Sequence, residues 1–197
     1  MRMAASPADM VRLFIAIAPE TALAAEIGKV QPRLNVPGGV VRWIKPEQLH
    51  LTLRFLGNVA AAQVEDVAAA VRRACAPATA FQLALEGAGC FPDAKRPRVI
   101  WLGIKGELEA LGKVQSQIAR ETNNFGDHSG DRDFQPHLTI GRVKASGLKS
   151  RQVGEAVERN AVPKIGEWIV HDVLLVQSEL SPAGPRYETL ATVTLGH

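Results

Sequence analysis

The chain has 197 residues, 46% of them hydrophobic, and a formal charge of +3, which supports a sizeable core and fits one compact domain or two closely packed lobes over residues 1–197. Two cysteines, Cys75 and Cys90, are too few for a disulfide framework and lack redox or zinc spacing, so a cytoplasmic location is expected; no segment approaches membrane-spanning length. Residues 1–98 carry 12 Lys and Arg against 8 Asp and Glu, and residues 99–197 carry 11 against 12, an asymmetry that suits an anionic ligand without requiring one.

In chain order, the apolar run Leu13 to Ala18 lies within an expected strand, Val11 to Ala18; six residues behind Asp9 and Arg12 are too short for a secretory leader. Pro19 suits a first helical turn, and Leu23, Ile27, Val30 and Leu34 recur at helical spacing over Thr21 to Leu34. Pro37-Gly38-Gly39 closes that unit. Val40 to Ile44 and Leu49 to Phe55 read as strands separated by a Pro46-Glu47 turn. Gly57-Asn58 is expected to end the second strand, with Asn58 capping an alanine-rich helix from about Ala60 to Ala76.

Phe81 to Glu86 alternates as a strand, residues 87–92 read as a turn, and Arg98 to Ile104 is an apolar strand. Glu107 to Thr122 has a helical face of Leu108, Leu111, Val114 and Ile118. Asn123 to Gln135 is the least structured stretch and contains Asp127, His128, Asp131 and Asp133. His137 to Val143 is a strand, Ser146 to Arg159 a helix, Trp168 to Ser178 one long buried strand, and Tyr187 to Leu195 a closing strand after a turn over residues 181–185. The order strand, helix, strand, strand, helix, strand recurs loosely in the two halves.

One tetrapeptide occurs twice: His50-Leu51-Thr52-Leu53 and His137-Leu138-Thr139-Ile140. Eight threonines and five histidines in the chain would give two such His-x-Thr pairs by chance on the order of one or two times in a hundred. On a strand each copy places His and Thr on one face and two aliphatic residues on the other. A single copy is best read as a structural His beside a strand-forming Thr. The matched pair points to two half-sites facing one pocket. Imidazole titrates near 6.5, so two histidines supply one proton acceptor and one donor, as displacement at phosphorus needs, and two short, stiff threonine hydroxyls can hold the phosphate oxygens. His128, His171 and His197 lack the pattern. No metal-ligand spacing and no phosphate-loop or dinucleotide glycine motif is present, so no metal or cofactor is expected.

Each copy is followed by an arginine. Strict alternation puts Arg54 on the face of His50 and Thr52, within reach of a phosphate. Arg142 falls on the opposite face from His137 unless Gly141 introduces a bulge. Trp43, Phe55 and Phe134 are candidates to stack on a base, although aromatics in such strands usually belong to the core.

These motifs, with Arg12 to Ile17, the run Leu49 to Gly57, Pro136 to Arg142, and Ser178-Glu179-Leu180-Ser181-Pro182 with Gly184 and Tyr187, resemble the 2H phosphoesterase superfamily. Within it the chain is similar to the RNA 2′,3′-cyclic phosphodiesterase family, also described as 2′-5′ RNA ligases. The resemblance implies an α+β fold of two lobes, each a duplicated antiparallel sheet with helices outside, around a central groove. It implies metal-independent hydrolysis of RNA or nucleoside 2′,3′-cyclic phosphodiesters to 2′-phosphates in a single bilobal domain over residues 1–197; a monomer without membrane attachment is expected. By position, His50 is the implied proton donor, His137 the acceptor, and Thr52 and Thr139 the phosphate-holding residues. Reversible 2′-5′ ligation and a non-catalytic RNA- or nucleotide-binding module are the alternatives.

Overall fold

In the computed structural model of the chain, residues 9–127, 134–181 and 184–196 are described. His128, Asp131, Asp133, Pro182, Ala183 and His197 lie outside them.

Strand β1 (Met10–Ile17) is apolar and buried at every position from Leu13 to Ile17. Leu13, Ile15 and Ile17 face the main core, while Phe14 and Ala16 pack with Val176 on the other face. Both faces are thus covered by packed side chains, and both edges are hydrogen-bonded because β1 is internal to a four-stranded antiparallel sheet of order β3-β1-β8-β9. Its partners are β3 (Leu51–Ala60), β8 (Asp172–Ser181) and β9 (Gly184–Thr194).

The second sheet has five antiparallel strands in the order β2-β6-β5-β4-β7. These are β2 (Val41–Trp43), β4 (Phe81–Phe91), β5 (Val99–Gly106), β6 (His137–Val143) and β7 (Gly166–Val170). Four helices pack around the sheets: α1 (Thr21–Arg33), α2 (Val64–Cys75), α3 (Leu108–Glu121) and α4 (Gly147–Arg159). Helix α2 lies against α3, β8 and β9; α3 also touches β3 and β4, and α4 packs on β4. Glu65 and Asp66 in the first turn of α2, with Arg72 and Arg73 in its last, match the helix dipole. Leu13 and Ile15 of one sheet share a hydrophobic cluster with Ile100 and Leu102 of the other. This is the expected α+β architecture of two antiparallel sheets and outer helices. Among the described residues no helix is long and apolar enough to cross a membrane.

Three boundaries differ from the sequence reading. β3 does not stop at Gly57 but continues to Ala60, since Gly57 at φ +72° absorbs a register shift against Leu13 and Phe14. Helix α2 therefore starts at Val64, and Asn58 is not its cap; the Asn58 backbone N and Nδ2 both donate to Asp127 Oδ2 at 3.1 Å. β4 runs through the expected turn at 87–92, bulging between Leu85 and Ala88. Finally, the segment 168–178 is two strands in different sheets: β7 pairs with β4, the chain breaks at His171, and β8 pairs with β1 and β9.

Candidate active site between the two sheets

β3 and β6, from different sheets, approach one another and line a groove of about 1240 Å³. The two His-x-Thr motifs lie on these elements, and His50, Thr52, His137 and Thr139 all line the groove. His50 itself directly precedes the first residue of β3.

Both motif strands break their alternation at the same place. Along β3, Thr52 pairs with Ala16 but the next pair is Arg54 with Ile15, so Leu53 and Arg54 share one step of the ladder. Along β6, Thr139 pairs with Trp101 and the next pair is Gly141 with Ile100, so Ile140 and Gly141 share one step. Each strand thus carries two consecutive inward-facing residues after its threonine, Leu53 and Arg54 in β3 and Ile140 and Gly141 in β6, the second being the extra one. Past the bulge, the face bearing His and Thr resumes at Phe55 in β3 and at Arg142 in β6, and both side chains line the groove.

The bulges decide the two arginines. Arg142 is brought onto the site face, the bulged case foreseen from Gly141. Gly141 has no room for a side chain: a Cβ there would sit 2.9 Å from Trp43 Cε3 and Val41 Cγ1. Arg54 departs from strict alternation. It is 8% exposed and turns toward the end of α3, where its Nη1 donates to the Ala119 carbonyl and, at 3.2 Å, to Thr122 Oγ1. A cation at helix C-terminal carbonyls is electrostatically matched to the helix end. Arg54 therefore borders the groove while its guanidinium fastens α3 to β3.

The histidines are held in the same way. His50 Nδ1 lies 2.8 Å from the Gln48 carbonyl, and His137 Nδ1 lies 2.7 Å from the Gln135 carbonyl. A carbonyl can only accept, so each ring carries its proton on Nδ1 and leaves Nε2 free to take or give one. Among the described residues, no protein group bonds either Nε2 or the hydroxyls of Thr52 and Thr139. Each imidazole also packs on a phenylalanine: Phe14 lies 4.8 Å from His50 between ring centroids, and Phe91 lies 4.8 Å from His137.

The half-sites are not equivalent, however. Tyr187 stands edge-on to His50 at 5.2 Å and to Phe14 at 5.3 Å, closing a three-ring box. Gln48 Nε2 donates to the Pro185 carbonyl at 2.8 Å, drawing the β8–β9 hairpin toward His50. Burial holds the His50 pKa below its ordinary value; the Gln48 carbonyl opposes this, and the charges of Arg142 and His137 add to it.

Arg42, Lys45, Arg54, Arg98 and Arg142 line the groove, and no carboxylate does so among the described residues. That wall suits an anion. The sequence reading missed Arg42, Arg98, Tyr187 and the two glutamines. The glutamines had a signal: the repeat is longer than four residues, running Gln48-Leu49-His50-Leu51-Thr52 and Gln135-Pro136-His137-Leu138-Thr139. Trp43, Phe55 and Phe134 all line the groove. Among the described residues, no group of three or more His, Cys, Asp or Glu is placed to hold a metal ion.

Comparison with known proteins agrees with this arrangement. The family model of the 2′-5′ RNA ligase superfamily matches residues 19–181. A protein of Archaeoglobus fulgidus named RNA 2′,3′-cyclic phosphodiesterase is 36% identical over 91% of this chain and 98% of its own length. A protein of the same name from Methanothermobacter thermautotrophicus is 32% identical over 94% of this chain and 99% of its own. The crystal structure of E. coli LigT complexed with 3′-AMP superposes with a TM-score of 0.71 and 27% identity, covering 95% of this chain and 99% of that one. With paired His-x-Thr strands meeting in one groove and relatives matched over nearly their full length, the chain belongs to the 2′-5′ RNA ligase superfamily of 2H phosphoesterases.

Proposed function

We propose that the protein hydrolyses 2′,3′-cyclic phosphodiesters of RNA ends or nucleosides to 2′-phosphates without a metal ion, acting as a cytoplasmic monomer. The observation that carries this reading is the matched presentation of two imidazole rings and two threonines to one cation-lined groove. The names of the two archaeal relatives and the 3′-AMP complex of E. coli LigT support the same substrate chemistry.

In this mechanism the phosphate lies between the histidines, its non-bridging oxygens accepting hydrogen bonds from Thr52 and Thr139. Water attacks phosphorus and gives its proton to His137 Nε2. The bond from phosphorus to the 3′-oxygen breaks, and His50 Nε2 supplies the proton to that oxygen, leaving a 2′-phosphate and a 3′-hydroxyl. The Nδ1 bonds to Gln48 and Gln135 fix each ring and help stabilise the imidazolium form. Arg142, on the site face past the bulge, adds positive charge for the phosphate.

The lowered pKa of His50 by itself favours the opposite assignment, with His50 as acceptor. A cyclic substrate whose 3′-bridging oxygen is replaced by sulfur separates the two, because a thiolate leaves without needing a proton. Such a substrate restores turnover to His50→Ala but not to His137→Ala if His50 is the donor; the reverse pattern exchanges the roles. With the ordinary substrate, either variant should lose at least about 10²-fold in kcat while remaining folded, and full activity in either one would sink the mechanism. Supplying 5′-hydroxyl and cyclic-phosphate RNA ends together tests ligation by formation of a joined product. Tight nucleotide binding with no product from any cyclic phosphodiester would favour the binding-module reading.

A further inference from the structure

Three exposed arginines converge at one end of the groove, and the mechanism uses only one of them. Arg42 of β2 and Arg142 of β6 are directly paired across the ladder, while on its other side Arg142 pairs with Val99, the residue after Arg98. Arg42, Arg98 and Arg142 all line the groove, and none forms an ion pair among the described residues. Like charges placed opposite one another on adjacent strands repel. With no carboxylate in the lining among the described residues, a bound anion is the group that would relieve the repulsion.

The cluster also has a direction. His137 and Arg142 are five residues apart on β6; discounting the bulge leaves about four strand rises, or roughly 13 Å along the backbone. Arg42 lies one strand further, roughly 5 Å to the side. Its Nη1 reaches over the bare backbone of Gly184, lying 3.8 Å from where a Cβ on that glycine would be. The charges of both Arg142 and Arg42 are felt at Tyr187, whereas at His50 only that of Arg142 is. Arg142 is therefore closer to His50 than Arg42 is, and Arg42 lies further out, at the β8–β9 hairpin.

We infer that Arg42 and Arg98 form a second phosphate site, which takes the phosphate on the 5′ side of the terminal nucleotide while its cyclic phosphate sits between the histidines. This rests on the proposed phosphodiesterase reading and deepens it. A free cyclic mononucleotide with a 5′-hydroxyl fills only the first site. An RNA 3′ end, or a cyclic mononucleotide bearing a 5′-phosphate, fills both. Guanidinium groups bind phosphate oxygens in a bidentate, charge-assisted manner that suits this position.

The test compares three substrates: a nucleoside 2′,3′-cyclic phosphate with a 5′-hydroxyl, the same compound with a 5′-phosphate, and a dinucleotide ending in the cyclic phosphate. The wild-type protein should show kcat/KM higher by about 10-fold or more for the second and third. Arg42→Ala and Arg98→Ala should each shrink that ratio, and the double variant should bring it close to one, with the gain lost mainly through KM. Both positions are exposed, so folding of the variants is checked by an unchanged unfolding midpoint. Equal kcat/KM with and without the 5′-phosphate, or an undiminished ratio in the double variant, overturns the second site and leaves the phosphodiesterase reading standing. Failure of the wild-type protein to hydrolyse any of the three overturns both.

Discussion

Replacing Arg54 with Ala separates the two arginines that sequence alone presents as equivalent. The Arg54 side chain is 8% exposed and donates to two acceptors at the end of α3, one of them on Thr122, which is fully buried and itself donates to the Ile118 carbonyl at 2.6 Å. Hydrogen bonds from a charged donor to such acceptors contribute about 1.5–3 kcal/mol. Loss of the packed aliphatic stem adds to this, for a total on the order of 2–4 kcal/mol. In a chain of this size each kcal/mol shifts the midpoint by about 2–4 °C, so Arg54→Ala should unfold roughly 4–16 °C below wild type. Arg142→Ala should unfold within about 0.5 kcal/mol of wild type, because its side chain is exposed. The assay pairs calorimetric or denaturant unfolding with kcat/KM for a cyclic mononucleotide, measured well below both midpoints. There Arg142→Ala should lose roughly 10-fold or more and Arg54→Ala less. A wild-type midpoint for Arg54→Ala, together with an activity loss larger than that of Arg142→Ala, would refute the assignment and return Arg54 to the phosphate.

The pH profile carries a prediction of definite sign. With His50 as donor, the high-pH limb of kcat/KM reports its free-enzyme pKa, which burial and the Arg142 charge hold down, whereas that of kcat reports the complex, where the bound anion raises it. The kcat limb should therefore lie at higher pH, and Arg142→Gln should move the kcat/KM limb upward; a downward move contradicts the proposed electrostatics. Thr52→Val and Thr139→Val should each cost roughly 10² in kcat at nearly unchanged stability, read by steady-state kinetics and thermal unfolding. Gly141→Ala should destabilise by about 1–3 kcal/mol, since its Cβ would overlap Trp43 and Val41 on the adjacent strand, and wild-type denaturant unfolding would show that β2 yields freely.

What the sequence disclosed and what it withheld follow from the range of the interactions concerned. His50, Thr52, His137 and Thr139 were legible because a period-two pattern is local, and the repeat made it statistically visible. The break at His171 had a weak local sign, a polar His171-Asp172 pair between two apolar runs, yet its meaning is a change of sheet, and strand pairing is not written in the strand itself. The bulges are the sharper case. Alternation assumes one residue per ladder step, and only the register against β1 and β5 reveals that Leu53-Arg54 and Ile140-Gly141 each share one. Because both strands slip at the same point, the duplicated geometry survives while the chemistry diverges: the inward residue is a fastening Arg54 in one half and a crowded Gly141 in the other. The residue returned to the groove is correspondingly Phe55 in one half and Arg142 in the other. An aromatic ring beyond Thr52 and a cation beyond Thr139 give a nearly symmetric cleft one flat ring on one side and one guanidinium on the other. A nucleotide has the same polarity, a base at one end and phosphate at the other, so the divergence after each bulge is the feature that would let this groove bind it in a single orientation.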